Sequence, residues 1–545
     1  MKEKIAKILG SFTHGNVRAE VFVPENPAFG HYSTNLALKL AGEKRRKPLE
    51  LAEEFVPKIL GQDNKKLFQE VEAAPPGFIN FWITPHALQE EFAGVLEVGE
   101  KYGKSAEGKG KKVIVEYSSV NVAKPMHVGH LRSTIIGDAL ANLYEFFGYK
   151  VLRWNYIGDW GTQFGKLIAA YKLWGKKSEV EKRPIKALLS LYVRFSKEEK
   201  ARPELSNSGR EEFRKLEAGD SENRKLWEWF RRESLKEFRE IYARLGVKFD
   251  EIIGESFYEK RFPSLIEELL KKRIAKTSEG SLIIPFGDQK LPPALIQKSD
   301  GASLYFTREL ATLKDRITRH KAEKILYVVA NQQSLHFEQL FAAAKLLGWN
   351  GAELHHVKFG LVLGEGKKKF ATREGRMIPL EDLMEKIVKL ARRVVQRKNS
   401  KLPAKQKQAI AEAVGIGALK YNDLKENRNS DIVFDWDRML DFSGNSAPYL
   451  QYTYARLAGI GRKAGKMGKF DLRLLEEEPE LRIIRHIFEF PHVLSDAVRM
   501  NLTNGIALYL YELANFVNRF YESTPIIKDE YALRRNARRK LIEAA

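Results

Sequence analysis

The chain has 545 residues, of which 43% are hydrophobic, 11% are aromatic and none is cysteine. This composition excludes a disordered chain and a disulfide framework, and the length exceeds what one hydrophobic core supports, so we expect several domains. The net charge of +22 favours a polyanionic partner, with nucleic acid as the first candidate and solubility alone as the alternative. No apolar run reaches the ~18–20 residues of a membrane span, and the start lacks the apolar core of a signal peptide, which predicts a cytoplasmic protein.

Residues 1–105 are predicted to form an α+β module. The amphipathic stretches STNLALKLA and PLELAEEFVPKIL have helical spacing, and GFINFWI has the character of a short strand. The polar, glycine-bearing stretch KYGKSAEGKGKK then predicts a linker to the next domain.

Residues 106–380 alternate strands with helices. VIVEYSS, STIIGDALANLYEFFG and YKVLRWNYIG predict a βαβ unit, and SLIIPF, SLYFTREL and KILYVVANQQSLHF predict a second α/β half after a charged helical insertion at about 175–250. Two such halves predict a doubly wound, Rossmann-like parallel sheet. From 381 to 545 the helical spacing predicts an all-α bundle.

The stretch SSVNVAKPMHVGHLRST, residues 118–134, lies where the first strand of this sheet is predicted to become a helix. A helix N-terminus at the carboxyl end of a strand offers unpaired N–H groups to phosphate, and Gly129 has no Cβ to keep a flat base from the backbone. His127 and His130 can donate hydrogen bonds to phosphate oxygens as negative charge builds in a transition state, which is an electrostatic role. The alternative is that both histidines cap or pack the helix.

The pattern H-x-G-H after a strand, with Asn121 and Lys124 before it and Arg132-Ser133-Thr134 after it, resembles the nucleotide-binding signature of class I aminoacyl-tRNA synthetases. The whole stretch is similar to the form found in arginyl-tRNA synthetases, and GDWGTQFG, NQQSLHFEQLF and LYELANFVNRFYE match that family in the same order. The resemblance implies ATP-dependent attachment of L-arginine to tRNA(Arg) through an arginyl adenylate, transfer to a 2′-hydroxyl, and a need for tRNA in the first step. It also implies that the N-terminal module contacts the tRNA elbow and that the C-terminal helices bind the anticodon.

The segment GKKKFATREGRMIPLEDL is similar to the mobile ATP loop of this family, although Phe370 and Ala371 replace its usual methionine and serine. Lys369 can neutralise charge on pyrophosphate, and Lys124 is a second cation for that task. The resemblance implies an ATP site with Mg²⁺ carried by the substrate, formed by His127, Gly129, His130, Lys369, Thr372 and Arg373. The alternative for this segment is a solvated basic loop.

A guanidinium substrate calls for carboxylates and neutral acceptors arranged around its fork. By resemblance, the residues that contact arginine are Glu116, Ser119, Asn121, His130, Tyr305, Glu309 and Gln333. Glu309 stands where the family usually has aspartate, which places its carboxylate one methylene further out. The alternative for Glu116 and for Glu309 is a structural ion pair.

A basic helix supports RNA binding on its own. Residues 386–408 contain nine Lys or Arg and no acid, and Lys386, Lys389, Arg393 and Arg397 recur at helical spacing. Further aromatic and basic residues that can stack on or clamp unpaired bases are Tyr449, Tyr452 and Arg456. A solvated face and packed core aromatics are the respective alternatives.

The partners predicted from the sequence are tRNA(Arg), L-arginine and ATP, for a monomer that uses neither a membrane nor protein-bound zinc. The pair His355-His356 does not suggest a metal site, because adjacent side chains diverge. Two rival functions remain open: another class I ligase or nucleotidyltransferase that shares H-x-G-H, and a non-catalytic RNA-binding descendant.

Overall fold

The computed structural model describes residues 1–13, 18–63, 66–287, 291–299, 304–364 and 378–545. The strands are β1 (Val21–Phe22), β2 (Tyr32–Thr34), β3 (Phe68–Ala74), β4 (Phe78–Ile83), β5 (Lys112–Glu116), β6 (Lys150–Ile157), β7 (Glu251–Gly254), β8 (Lys276–Ser278), β9 (Ser281–Ile284), β10 (Ala294–Gln297), β11 (Lys324–Tyr327), β12 (Glu353–His356), β13 (Val362–Leu363) and β14 (Ile432–Val433).

The α-helices are α1 (Lys2–Leu9), α2 (Leu36–Lys44), α3 (Pro48–Gln62), α4 (Pro85–Val98), α5 (Val128–Phe146), α6 (Thr162–Trp174), α7 (Lys177–Lys182), α8 (Pro184–Ala201), α9 (Pro203–Glu217), α10 (Ser221–Leu245), α11 (Phe262–Lys271), α12 (Tyr305–Thr318), α13 (Ser334–Leu346), α14 (Leu380–Lys398), α15 (Ala404–Leu424), α16 (Trp436–Met439), α17 (Ala447–Lys463), α18 (Glu478–Met500), α19 (Asn504–Ser523) and α20 (Ala532–Ala544). Among the helices that the structure describes, none is both long and apolar enough to cross a membrane.

The chain is divided into two compact units. The first unit contains residues 1–103, 450–494 and 508–545, and the second contains residues 104–449 and 495–507. This division differs from the three segments predicted from the sequence, whose boundaries remain a prediction.

The first unit joins the two ends of the chain through a common core. Its antiparallel sheet has the strand order β1-β2-β4-β3, and β4 buries Ile79, Phe81 and Ile83, as expected for the strand predicted at GFINFWI. These side chains belong to the same hydrophobic cluster as Ile484 of α18 and Phe520 of α19. The N-terminal module and the C-terminal helices therefore bury their apolar faces in one core.

The second unit is built on a five-stranded sheet with the order β12-β11-β5-β6-β7, in which all neighbouring strands are parallel. Val113, Ile114 and Val115 of β5 are fully buried, because helices cover both faces of a parallel sheet. The predicted doubly wound parallel sheet is confirmed. The strand order reverses between β5 and β11, and such a reversal opens a crevice at the carboxyl ends of the two strands.

Helices surround this sheet. The segment predicted as a helical insertion contains α7 to α10, and the basic helix α14 packs against α15. The contact between α14 and α15 depends on a glycine, because a Cβ on Gly415 would lie 3.0 Å from the Cα of Val388. The two helices can therefore approach closely because Gly415 has no side chain.

Candidate active site

The turn between β5 and α5 is strained and firmly held. Ser118, Ser119 and Ala123 have positive φ angles of 73°, 47° and 62°, which non-glycine residues seldom adopt. The backbone N–H of Ser118 donates to Oγ of Ser133 at 2.9 Å, and that of Ala123 donates to Oγ of Ser234 in α10 at 3.1 Å. Strain that surrounding contacts maintain is common at ligand sites.

The two histidines of the turn cap helix α5. The backbone N–H of Gly129 donates to Nδ1 of His127, and the backbone N–H of His127 donates to Nδ1 of His130, both at 3.1 Å. Because each Nδ1 accepts a hydrogen bond, we assign the proton of each neutral ring to Nε2. Nδ1 of each histidine thus caps the helix, as the alternative interpretation expected, and Nε2–H can still donate to a ligand.

Both imidazoles are neutral near pH 7. Burial lowers the pKa of His127 to about 4, and burial together with the neighbouring His127 lowers the pKa of His130 to about 3. Their ring centroids lie 3.8 Å apart. A neutral ring whose Nδ1 is already engaged can donate through Nε2 but cannot act as a general base through that nitrogen.

A cavity of about 530 Å³ opens at the reversal of strand order. The turn after β5 supplies His127, Gly129 and His130, and the segments after β11 and before β13 supply Ala330 and Gly360. Its place beyond the carboxyl ends of β5 and β11 is the usual ligand position in an open α/β sheet.

The segment that contains Lys369, Thr372 and Arg373 lies outside the described residues. Its flanks are tied to the turn between β5 and α5: His127 forms an isolated bridge with Pro379, and the N–H of Leu380 donates to the carbonyl of Met126 at 2.8 Å. On the other flank, β13 pairs with β14.

Lys124 lies over an aromatic ring of the insertion. Its Nζ is 5.7 Å from the ring centroid of Tyr192 in α8, and the side chain is half-buried. A cation over an aromatic face is attracted to the ring, so the contact restrains this lysine. Tyr192 carried no sequence signal of such a role.

Glu116, Glu309 and Arg316 form a buried charged cluster. Arg316 makes an ion pair with Glu116, and all three side chains are enclosed. Burial, and then the charge of Glu116, raises the pKa of Glu309 well above its usual value, with Arg316 opposing. Arg316 was missed in the sequence, although it follows Glu309 by two helical turns and therefore shares its face of α12.

The remaining predicted arginine contacts lie around this cluster at different depths. Oγ of Ser119 is 3.4 Å from Oε1 of Glu116. Asn121 bridges to Gly158, and a Cβ on Gly158 would be 2.2 Å from Oδ1 of Asn121, so a larger residue at position 158 would displace the Asn121 side chain. Tyr305 is 48% exposed at the start of α12, and Gln333 is exposed after β11. The structure thus places Ser119 beside Glu116 of the enclosed cluster and leaves Gln333 exposed.

A second ion pair near Tyr305 joins Arg308 of α12 to Glu255. Nη1 of Arg308 donates to Oε2 of Glu255 at 2.8 Å. Burial raises the pKa of Glu255 to about 7 although Arg308 opposes this. Across the described ranges, no group of three or more His, Asp or Glu side chains has the arrangement of a metal site.

Most of the residues predicted to bind RNA are exposed, and the others are half-buried. Lys386, Lys389, Arg393 and Arg397 are exposed on α14, and Nζ of Lys386 lies 4.1 Å from the ring centroid of Trp436. In the first unit, the guanidinium of Arg456 lies 4.7 Å from the ring centroid of Tyr452 and 5.1 Å from that of Tyr521. Tyr449 is half-buried.

Comparison with known protein families covers nearly the whole chain. The family described as "tRNA synthetases class I (R), catalytic domain" matches residues 91–436, "DALR anticodon binding domain" matches residues 450–545, and "Arginyl tRNA synthetase N terminal domain" matches residues 1–83. An arginine–tRNA ligase of Alkaliphilus metalliredigens is 39% identical over 98% of this chain and 94% of its own length. The chain belongs to the arginyl-tRNA synthetase family.

Further members of the arginyl-tRNA synthetase family match the chain in sequence and in structure. The arginine–tRNA ligase of Clostridioides difficile is 40% identical over 98% of this chain and 93% of its own length. The arginyl-tRNA synthetase structure from Plasmodium falciparum has a TM-score of 0.81 at 27% identity and covers 100% of this chain and 97% of its own. The Thermus thermophilus arginyl-tRNA synthetase structure, at 23% identity and a TM-score of 0.83, has the same fold, which confirms the predicted fold class.

Proposed function

We propose that this protein attaches L-arginine to tRNA(Arg) at the expense of ATP. The α-carboxylate of arginine attacks the α-phosphorus of ATP, the bond to the β-phosphate oxygen breaks, and arginyl adenylate and pyrophosphate result. The 2′-hydroxyl of the terminal tRNA adenosine then attacks the activated carbonyl, and AMP leaves. Bound tRNA is required for the first step. The observation that supports this best is the cavity at the strand-order reversal, with two neutral histidines whose Nδ1 atoms accept backbone N–H groups, so that Nε2–H can donate to a ligand.

The ATP site combines hydrogen-bond donors with positive charge. His127 and His130 donate to phosphate oxygens through Nε2, which stabilises the charge that develops as pyrophosphate leaves. Lys124 and Lys369 supply positive charge, Gly129 allows the adenine to approach the backbone, and Thr372 and Arg373 complete the loop side of the site. Mg²⁺ enters with ATP, because the phosphates provide oxygen ligands for it and water completes its shell.

The arginine site is the buried cluster around α12. Glu309 offers a carboxylate to the substrate guanidinium, and Ser119, Asn121, Tyr305 and Gln333 provide neutral acceptors and donors around it. Support comes from the enclosure of Glu309, since a desolvated carboxylate interacts strongly with an incoming cation. By resemblance Glu116 belongs to the same set.

The tRNA is contacted by several surfaces in this proposal. The N-terminal module, residues 1–105, contacts the elbow, the catalytic segment 106–380 holds the acceptor end, and residues 381–545 bind the anticodon stem and loop. The basic face of α14 and the cluster of Tyr452 with Arg456 are candidate contacts, because cations neutralise phosphates and aromatic rings stack on unpaired bases. A monomer in the cytoplasm is part of the proposal.

A charging assay tests the activity directly. Purified protein, ATP and tRNA(Arg) are incubated with arginine, lysine or citrulline in parallel, and attachment to tRNA is measured. We expect charging with arginine alone, and pyrophosphate exchange near background when tRNA is omitted. Charging of lysine with arginine inert would refute the assignment, and strong exchange without tRNA would refute the proposed tRNA requirement.

Substitution of His130 by Ala separates the enzyme from a non-catalytic RNA-binding protein. The variant is expected to lose adenylate formation and to keep tRNA affinity. The matched control is His355→Ala, because His355 is a half-buried histidine paired with Glu353 on β12. Equal charging by His130→Ala and the wild type would exclude the proposed role.

A further inference from the structure

The helical insertion reaches the turn between β5 and α5 through helix α10. Oγ of Ser234 accepts the backbone N–H of Ala123 at 3.1 Å, and the hydroxyl of Tyr242 lies 2.8 Å from Oγ of Ser118. Ser234 and Tyr242 are both buried. Because Ser118 and Ala123 have positive φ angles, α10 holds the turn at two of its strained residues.

Asn155 of β6 connects the third strained residue, Ser119, to the same hydroxyl. Oδ1 of Asn155 accepts the backbone N–H of Ser119 at 3.2 Å, and Nδ2 donates to the hydroxyl of Tyr242 at 3.0 Å. Since a backbone N–H only donates, this contact fixes the orientation of the fully buried Asn155 amide. Burial raises the pKa of Tyr242 to about 12, with the hydrogen bonds to Ser118 and Asn155 opposing it, so the phenol keeps its proton at pH 7.

The hydrogen bonds continue from Ser118 to a histidine of the proposed ATP site. Oγ of Ser118 lies 2.9 Å from Oγ1 of Thr134, which lies 2.6 Å from the carbonyl oxygen of His130. The connected groups are, in order, Asn155, Tyr242, Ser118, Thr134 and His130. Buried hydrogen bonds in series strengthen one another, and loss of the Tyr242 hydroxyl interrupts this series near its middle.

The ring of Tyr242 packs separately from its hydroxyl. Its centroid lies 4.8 Å from the ring centroid of Phe249, which lies 4.7 Å from that of Tyr117. A phenylalanine at position 242 keeps this aromatic packing and removes only the link to the turn. The role of the hydroxyl can therefore be tested with the ring in place.

We propose that Tyr242 is a positioning residue for adenylate formation, because its hydroxyl holds Ser118 and so keeps the turn in the conformation that presents the two histidines to ATP. Residues with positive φ relax toward commoner conformations once their hydrogen bonds are lost. A displacement of about 1 Å in a reacting group lowers a rate about a hundredfold. Tyr242 acts through Ser118, which lines the cavity, and the helical insertion thereby takes part in the chemistry. This inference rests on the function proposed above.

Replacement of Tyr242 by Phe in the full-length protein tests the proposal. Pyrophosphate exchange is measured with ATP, arginine and tRNA(Arg). We expect kcat to fall about 10–100-fold, because the histidines are displaced from the phosphates. The KM values for ATP and arginine should change less than about threefold, since donors that act mainly in the transition state contribute little to ground-state binding.

Tyr144→Phe is the matched control. Tyr144 lies near the end of α5, and its buried hydroxyl donates to Oδ1 of Asn501 at 2.8 Å. This variant also loses a buried hydrogen bond, so its thermal midpoint should fall about as much as that of Tyr242→Phe, while kcat stays at the wild-type value. A lower thermal midpoint with an unchanged kcat in Tyr242→Phe would show a merely structural role and overturn the proposal. Equal losses of kcat in both variants would overturn it as well.

Ser118→Ala gives a second test that leaves α10 intact. If Tyr242 acts through Ser118, S118A/Y242F should be no more than about twofold worse than the more impaired single variant. Losses of kcat that multiply in the double variant would mean that the two hydroxyls act independently, which contradicts the proposal. If the wild type shows no exchange with arginine and tRNA(Arg), the proposed function itself is wrong. If the wild type is active and Tyr242→Phe equals it, only the role of Tyr242 is wrong.

Discussion

Arg132 and Asp423 form a buried ion pair between helix α5 and helix α15. Nε of Arg132 lies 3.1 Å from Oδ2 of Asp423. Nη1 of Arg132 donates at 2.8 Å to the carbonyl of Gly360, which lines the cavity at the strand-order reversal. One guanidinium therefore connects helix α5, the opposite wall of the proposed ATP site and helix α15, which packs against the basic helix α14.

Replacement of Arg132 by Gln is expected to damage ATP binding more than arginine binding. The carbonyl of Gly360 and the carboxylate of Asp423 lose their donor, so the cavity wall is released and a buried charge is left unpaired. We expect at least about a tenfold rise in the KM for ATP and a destabilisation of about 3–5 kcal/mol. Steady-state charging kinetics and denaturant unfolding measure the two effects.

Arg538 offers a control for the loss of stability in this experiment. It lies in the first unit, where its buried guanidinium pairs with Glu480 at 2.6 Å and with Asp529 at 2.8 Å. Arg538→Gln should destabilise its own unit to a similar degree and leave the KM for ATP near the wild-type value. An equal KM for ATP in Arg132→Gln and the wild type would contradict the proposed link to the cavity wall.

Asparagine substitutions separate the two functions of the histidines. The side-chain oxygen of Asn can replace Nδ1 as the acceptor at the helix N-terminus, but Asn does not place a donor at the position of Nε2. His127→Asn and His130→Asn should therefore unfold at nearly the wild-type denaturant concentration while adenylate formation falls about 10²–10³-fold. The corresponding alanine variants should unfold at a lower denaturant concentration and should also lose adenylate formation. Wild-type activity in the asparagine variants would mean that capping is the whole role.

The histidines also make a defined contribution to the pH dependence of stability. In the unfolded chain they bind protons near pH 6.5, whereas burial lowers the pKa of His127 to about 4 and that of His130 to about 3. Between these values the unfolded state binds more protons, so the free energy of unfolding falls as pH drops from about 6.5 toward 4. Between pH 7 and pH 5, the free energy of unfolding should fall less in H127N/H130N than in the wild type.

The sequence predicted the part of the site whose residues are close together in the chain. The strand, turn and helix around Gly129 follow from periodicity and from the short H-x-G-H pattern, and the structure places them where expected. The capping of α5 by His127 and His130 was left as an alternative, because the tautomer of a histidine depends on hydrogen bonds that periodicity does not specify.

Long-range pairing accounts for what the sequence did not predict. Arg316 has the helical spacing of a residue below Glu309, but its partner Glu116 lies on a strand far away in the chain. The pairing becomes visible only when β5 and α12 pack together. In the same way, nothing in the N-terminal module indicated that Phe81 and Phe520 would share one hydrophobic core, since hydrophobic contacts carry no sequence code for their partner.

Gly158 provides a test of the proposed role of Asn121. A Cβ at position 158 would lie 2.2 Å from Oδ1 of Asn121, so Gly158→Ala must displace that side chain. We expect a rise in the KM for arginine of about tenfold or more, because a misplaced substrate contact is costly for catalysis. Gly61→Ala is the control, since among the described residues no atom outside the helix's own backbone lies within 4 Å of its Cβ position in helix α3. An unaltered KM for arginine in Gly158→Ala would argue against Asn121 as a substrate contact.

Charge reversal on α14 tests the basic helix face as an RNA contact. Lys389 and Arg393 are exposed, and Lys389→Glu with Arg393→Glu should weaken tRNA binding because two phosphate neutralisations are lost. The slope of log affinity against log salt should decrease in magnitude by about 1–2, while the KM values for ATP and arginine stay unchanged. The pair Lys271→Glu and Lys345→Glu changes the net charge equally on exposed positions of α11 and α13. If both pairs weaken tRNA binding by the same factor, the effect comes from net charge, and α14 is an ordinary solvated face.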